Sequence, residues 1–280
     1  MDVEAYLERI GHRGPVPATL ATLESLHLAH ATTIPFENLD VILGVPVDLD
    51  VAHLEAKLVG SRRGGYCFEH NLLFAAVLEQ LGFGVTRLAA RVHVPDAPPR
   101  PRTHMLLAVE VDGDSWIADV GFGGEGLLGP LPLREDGPVR QFAWSFRLLR
   151  RPPVWVLQSL GPGGWRDLYT FTEEAHLPID YEVANYYTST HPRSPFTRHV
   201  LAQLSGPEVR WRLVDHQLSE ERPDGVVTTS VAAGELADVL RTRFGLELAG
   251  VDVRVPEPAA SGGDSDPFAA PRTAGSPSVG

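Results

Sequence analysis

Over residues 1–83 the apolar positions recur with the period of a helix, and from about Val85 the period drops to two. Val3, Tyr6, Leu7 and Ile10 fall at i, i+3, i+4 and i+7, with Asp2 placed to cap the segment and Gly11 to end it. A second helix is predicted over 19–30. A third follows Asp50 as its cap, carries Leu54 and Leu58 on one face, and ends at Gly60. A fourth starts near Cys67 and carries Leu73, Val77, Leu78 and Leu81 before Gly82.

The alternating segments predict strands at 85–94, 104–111, 115–120, 140–149, 153–160 and 165–172, with turns at Asp112-Gly113 and Pro162-Gly163-Gly164. Such a run of short strands reads as an antiparallel, barrel-like unit. A helix fits 178–188, with Pro178 at its first position. Strands near 208–215 and 226–231 flank Arg222-Pro223-Asp224-Gly225, and a helix runs from Glu235 to Phe244. Beyond Pro256 the chain is Pro, Gly, Ser and Ala with almost no bulky apolar residue, the composition of a disordered tail.

A chain of 280 residues with 43% hydrophobic content has material for two or three regions and their cores. Lys and Arg number 24 against 36 Asp and Glu, a net charge of -12 that argues against a nucleic-acid partner while leaving room for a local basic pocket. No apolar run approaches the ~20 residues that span a bilayer. The start Met1-Asp2-Val3-Glu4 is acidic where a signal peptide is basic, so a cytoplasmic location is expected. With Cys67 the one cysteine, neither an intrachain disulfide nor a thiolate metal cluster can form, and no metal is expected.

Cys67 follows Arg63-Gly64-Gly65-Tyr66 and precedes a helical pattern, which places its thiol in the first turn of a helix. There the macrodipole and free backbone N–H groups favour a thiolate, and tight glycines let a substrate carbonyl approach. A buried filler cysteine on the helix face fits the same periodicity.

A nucleophilic cysteine is usually served by a histidine held by a third group. His104 opens the strand His104–Val111 and Asp119 closes Ser115–Val120, across the Asp112-Gly113 turn. With a two-residue loop at 112–113, Leu106 faces Asp119 and His104 lies diagonally beside it. Any even loop keeps the two on one face, at a separation of about 7–8 Å between diagonal Cβ atoms. A satisfied core histidine and a strand-end aspartate is the plainer reading.

Arg63-Gly64-Gly65-Tyr66-Cys67-Phe68-Glu69, Thr103-His104-Met105-Leu106 and Asp119-Val120-Gly121-Phe122-Gly123, in that order, resemble the arylamine N-acetyltransferases. Ile34-Pro35-Phe36-Glu37-Asn38-Leu39 and Ser189-Thr190-His191-Pro192 are similar to that family's pattern too. The resemblance implies an α+β fold with a cysteine-protease-like triad arrangement: an N-terminal helical bundle (1–84), a central antiparallel β-barrel with its linking helix (85–190), and a C-terminal α/β lid (191–255), followed by the tail (256–280). It implies ping-pong transfer of an acetyl group from acetyl-CoA to an aromatic amine or hydrazine, with Cys67 as nucleophile, His104 as proton carrier and Asp119 as its orienter. No permanently bound cofactor is implied. Phe36, Phe122 and Val92 would line the acyl and amine pocket, and Thr103, Gly123 and Phe196 would flank the pantetheine. Arg63, Glu37 and Asn38 would form a supporting polar network.

Three further patterns stand in the chain. Gly121-Phe122-Gly123-Gly124-Glu125-Gly126 matches a dinucleotide fingerprint, but Leu127-Leu128-Gly129-Pro130 cannot open the required helix. His27 and His30 are expected on a helix surface. Arg193, Arg198 and His199 fit either CoA phosphates or a solvated loop. The rival functions are an amide synthase of the same fold, closing a polyketide macrolactam from a carrier-bound thioester, a thiol protease or transglutaminase-like hydrolase, and a non-catalytic binding module.

Overall fold

The computed structural model describes residues 1–95, 97–248 and 253–256; the expected tail from 257 onward lies outside the described residues. The N-terminal region is helical: α1 (Val3–Arg9), α2 (Leu20–Thr33), α3 (Leu39–Ile42), α4 (Val51–Leu54) running on as a π-helical turn (Glu55–Gly60), and α5 (Cys67–Gln80). The predicted caps act as such: Asp2 accepts from the Ala5 N–H at 3.0 Å, and Asp50 from the Ala52 N–H at 2.9 Å. Tyr6, Leu23, Leu26, Phe68, Phe74 and Leu78 form the core between these helices.

An eight-stranded antiparallel sheet follows. Its strands are β2 (Gly84–Val92), β3 (His104–Val111), β4 (Asp114–Ala118), β5 (Leu131–Pro132), β6 (Val139–Gln141), β7 (Trp144–Arg151), β8 (Val154–Gly161) and β9 (Gly164–Phe171). They lie in the order β5-β4-β3-β2-β9-β8-β7-β6. Gln141 draws the two ends together, accepting from the Leu128 N–H and donating to the Gly129 carbonyl, both at 2.8 Å. The sheet is thereby a nearly closed barrel. Strand β3 is apolar along most of its length because both faces are covered: Leu106 and Ala108 enter the barrel interior, while Met105, Leu107 and Val109 pack into the helical core.

After α6 (Pro178–Thr190) comes a five-stranded antiparallel sheet of β1 (Phe36–Glu37), β10 (Leu201–Ser205), β11 (Arg210–Val214), β12 (Gln217–Arg222) and β13 (Gly225–Ser230), in that order. Helix α7 (Leu236–Phe244) contributes Leu236, Leu240 and Phe244 to a third apolar cluster with Val200, Ala202 and Leu213 of this sheet region. The architecture is the α+β arrangement expected. Among the described residues no helix is long and apolar enough to cross a membrane.

The single strand expected over 140–149 is two, β6 and β7, because the chain reverses at Phe142, whose φ is +57°. Strands β1 and β5 have two residues each, too few for an alternation to register, and β10 and β12 carry polar residues on a buried face.

Candidate active site

Cys67 is the first residue of α5 and is 4% exposed. The glycines before it are demanded by contact. A Cβ on Gly64 would stand 1.9 Å from the Pro35 carbonyl oxygen, and one on Gly65 2.5 Å from Glu69 Oε2. Glu69 in turn accepts from the Tyr66 N–H at 2.9 Å, closing the helix start around the thiol. The sulfur lies 3.5 Å from the carbonyl oxygen of Thr103.

Thr103 leads directly into His104, at the start of β3. The β3–β4 hairpin turns through Asp112 and Gly113, both at positive φ (55° and 87°), and pairs Val111 with Asp114 and Leu107 with Ala118. One residue further, Asp119 stands opposite Leu106 and diagonal to His104. Its Oδ2 is 2.7 Å from His104 Nε2, with both side chains buried. Nε2 being committed to the carboxylate, Nδ1 is the imidazole nitrogen left for the sulfur.

The electrostatics follow from this burial. Desolvation opposes the imidazolium, but the Asp119 carboxylate and the hydrogen bond and charge of Cys67 outweigh it, and the His104 pKa is pushed up to about 10. Asp119 is held below the ordinary carboxylate range: desolvation would raise it, and His104, Asn71 and the Gly121 N–H overcome that. Asn71, one turn beyond Cys67, donates to the Met105 carbonyl at 2.8 Å and to Asp119 Oδ1 at 3.0 Å, and accepts from the Val120 N–H at 3.2 Å. The rings of Tyr169 and Phe122 flank His104, with centroids at 4.9 and 5.1 Å.

Below the nucleophile lies an alternating chain of charges. Arg63 joins Glu37 to Asp40, and Lys57 joins Asp40 to Glu69. Three carboxylates share two cations, and the buried Glu69 is pushed up to about 7, by desolvation against the pull of Lys57.

The expectation for His27 and His30 is overturned. Both are fully buried, because α2 is enclosed by α1, α5 and the barrel edge. His27 Nε2 accepts from the Asp119 N–H at 3.1 Å, and burial depresses its pKa to about 4. His30 contacts His70.

A family model described as N-acetyltransferase matches residues 19–253. The arylamine N-acetyltransferase of Mycobacterium tuberculosis is 43% identical over 262 residues, covering 91% of this chain and 92% of that protein. The crystal structure of the Nocardia farcinica arylamine N-acetyltransferase superposes with a TM-score of 0.86 at 46% identity, covering 90% of this chain and 92% of that one. The structure of the Mycobacterium marinum arylamine N-acetyltransferase in complex with CoA superposes with a TM-score of 0.84 at 39% identity, covering 87% and 92%. The chain belongs to the arylamine N-acetyltransferase family.

As an arylamine N-acetyltransferase it is an acyltransferase, and the positions suggested by resemblance can be placed. Phe122 stands against His104 and Tyr169, and Thr103 beside Cys67. The Phe36 and Phe196 rings meet at 6.0 Å. Gly123 has φ +89°, and a Cβ there would lie 2.2 Å from Gln203 Oε1, so β10 closes over this loop. Val92 pairs in register with Tyr169 at the end of β2. Asn38 donates to the carbonyls of Phe196 and His199 at 2.8 and 2.7 Å, which ties the helical region to the C-terminal sheet. His199 Nδ1 bonds Asp215 Oδ2 at 2.7 Å, an internal use of that side chain. Sequence reasoning missed Asn71, Tyr169, His27 and Gln203. Asn71 carried a signal, lying four residues after Cys67 and so one helical turn along the same face. The other three look like ordinary helix or strand residues until the fold is closed.

Proposed function

We propose that the chain transfers an acetyl group from acetyl-CoA to the nitrogen of an arylamine or arylhydrazine by a ping-pong mechanism through an acetyl-Cys67 intermediate. The observation that carries this reading is the buried line from the first turn of α5 through His104 to Asp119, with the 2.7 Å imidazole–carboxylate contact at its end.

The steps follow from the charges. His104, protonated at neutral pH, is a counter-ion for the Cys67 thiolate. The sulfur attacks the thioester carbonyl, a new S–C bond forms and the bond to the CoA sulfur breaks. His104 gives its proton to the departing CoA thiolate and is then neutral. The amine nitrogen attacks the acetyl-cysteine carbonyl, His104 takes a proton from it, and the amide leaves as the Cys67 thiolate is regenerated. Asp119 holds one tautomer and orientation throughout. Phe36, Phe122 and Val92 line the acyl and amine pocket, and Thr103, Gly123 and Phe196 flank the pantetheine. The division at 1–84, 85–190 and 191–255 belongs to the same proposal, supported by separate apolar clusters in the barrel interior and in the C-terminal sheet, as does action in the cytoplasm.

Incubation with acetyl-CoA followed by intact-mass measurement tests the reading. One acetyl adduct is expected, absent in Cys67→Ala and lost on addition of an aromatic amine. An adduct formed from a carrier-bound acyl thioester but not from acetyl-CoA would instead favour the macrolactam-closing amide synthase.

A further inference from the structure

A line of three hydrogen bonds crosses the helical region and ends beneath Phe36. Tyr6 Oη lies 2.8 Å from His30 Nδ1, His30 Nε2 lies 2.8 Å from His70 Nδ1, and His70 Nε2 lies 3.2 Å from the Pro35 carbonyl oxygen. All three side chains are buried.

The direction of this line is fixed from its far end. A carbonyl oxygen only accepts, so His70 Nε2 carries the proton. Burial keeps His70 neutral, with its pKa depressed to about 4, so its Nδ1 is a bare lone pair and His30 Nε2 must donate to it. His30 is neutral for the same reason, which leaves its Nδ1 to accept from the Tyr6 hydroxyl. Each imidazole has one permitted tautomer. Pro35 cannot pass a proton on, so the line is a strut and not a proton path.

What the His70 end of the strut holds is the wall of the site. Phe36 follows Pro35, and its ring lies nearly parallel to the His70 imidazole, at 14° and 6.4 Å between centroids. On its other side Phe36 meets Phe196. The Pro35 carbonyl is also the group that Gly64 must be small enough to pass, three residues before the nucleophile. The position of Phe36 is therefore fixed by the same α5 helix that presents Cys67, through a side chain three residues along.

We propose that His70 is a positioning residue for the substrate pocket, setting through Pro35 where the Phe36 ring stands and thereby the size of acyl group accepted. This rests on the assignment of Phe36 to the acyl pocket. One methylene in a hydrophobic pocket is worth about tenfold or more in discrimination. A displaced Phe36 changes that ratio without changing the reactivity of the thiol.

The test compares acylation rates of Cys67 by acetyl-CoA and propionyl-CoA, read by intact mass, with iodoacetamide alkylation of Cys67 as the control. In His70→Leu the ratio of the two rates is expected to change about tenfold, with alkylation unaltered. His70→Asn, too short to reach Pro35, serves as a second loss variant should the first not accumulate. His70→Gln keeps a donor for Pro35 and an acceptor for His30, and the ratio stays near that of the parent. Tyr6→Phe cuts the strut at its remote end, lowering Tm and leaving the ratio alone. An unchanged ratio in the loss variants, or an equal change in Tyr6→Phe, overturns the proposal. No acetyl adduct in the parent protein would instead defeat the reading of the function.

Discussion

The ring of Tyr169 lies 4.9 Å from the imidazole of His104, and its hydroxyl is buried in the field of Asp119 without a hydrogen bond of ordinary geometry. The ring and the hydroxyl therefore have separable duties. Tyr169→Phe removes a buried hydroxyl that at most makes a poorly aligned contact with Asp119 and should leave unfolding free energy within about 1 kcal/mol of the parent. Tyr169→Ala empties the space beside the imidazole and should cost roughly 3–5 kcal/mol, with slower acylation of Cys67. Urea denaturation beside a single-turnover assay separates the two.

The His104–Asp119 pair predicts an alkaline loss of stability. The folded pKa of His104, about 10, lies above the unfolded value of about 6.5. Its contribution is thus fully present below ~6.5 and lost as pH rises through 10. Denaturant midpoints should fall between pH 7.5 and 9.5 in the parent protein, to a shallower degree in His104→Gln. Parallel slopes in the two would contradict the pairing.

At the acid end the sign reverses. His27 and His70 are held at about 4 when folded, against an unfolded value of about 6.5, so the unfolded chain takes up their protons first. Stability falls as pH drops from ~6.5 towards 4, by up to about 1.4 kcal/mol per pH unit for each group. Burial depresses His30 in the same direction, and Glu69, raised to about 7, works in the opposite direction but is one group against three. In His70→Gln the decline between pH 6.5 and 4.5 should be measurably shallower.

Gly121 is pressed against the nucleophile helix. A Cβ there would lie 2.7 Å from Asn71 Nδ2 and 2.9 Å from the Cys67 Cα. Gly121→Ala should cost roughly 1–3 kcal/mol and slow acylation of Cys67. Gly163→Ala, where nothing lies within 4 Å, should do neither.

Much of this was legible in the chain, and for identifiable reasons. The hairpin that brings His104 to Asp119 depends on constant-sum pairing and an even loop, both readable from Asp112-Gly113. Helix α5 is announced by glycines before Cys67 and apolar periodicity after it. The buried polar layer was not legible. His27 and His30 look like an exposed pair because periodicity reports apolar residues, and a histidine becomes a core residue only once Asp119 and His70 are there to accept or supply its hydrogen bonds. Gln203 and Ser205 disguise β10 likewise, since a sheet face turned towards a polar active-site loop has no hydrophobic alternation to detect.

Strand β1 lies early in the chain yet finds its backbone partner in β10, and Asn38 Oδ1 accepts from the Leu201 N–H at 2.8 Å. A nascent polypeptide that has emerged only as far as residue 190 already contains the thiol, the imidazole and the carboxylate, but the peptide groups of Phe36 still face solvent on one side. Catalytic competence should accordingly arrive late in synthesis, because a product truncated there holds the reacting groups behind an unfinished mouth.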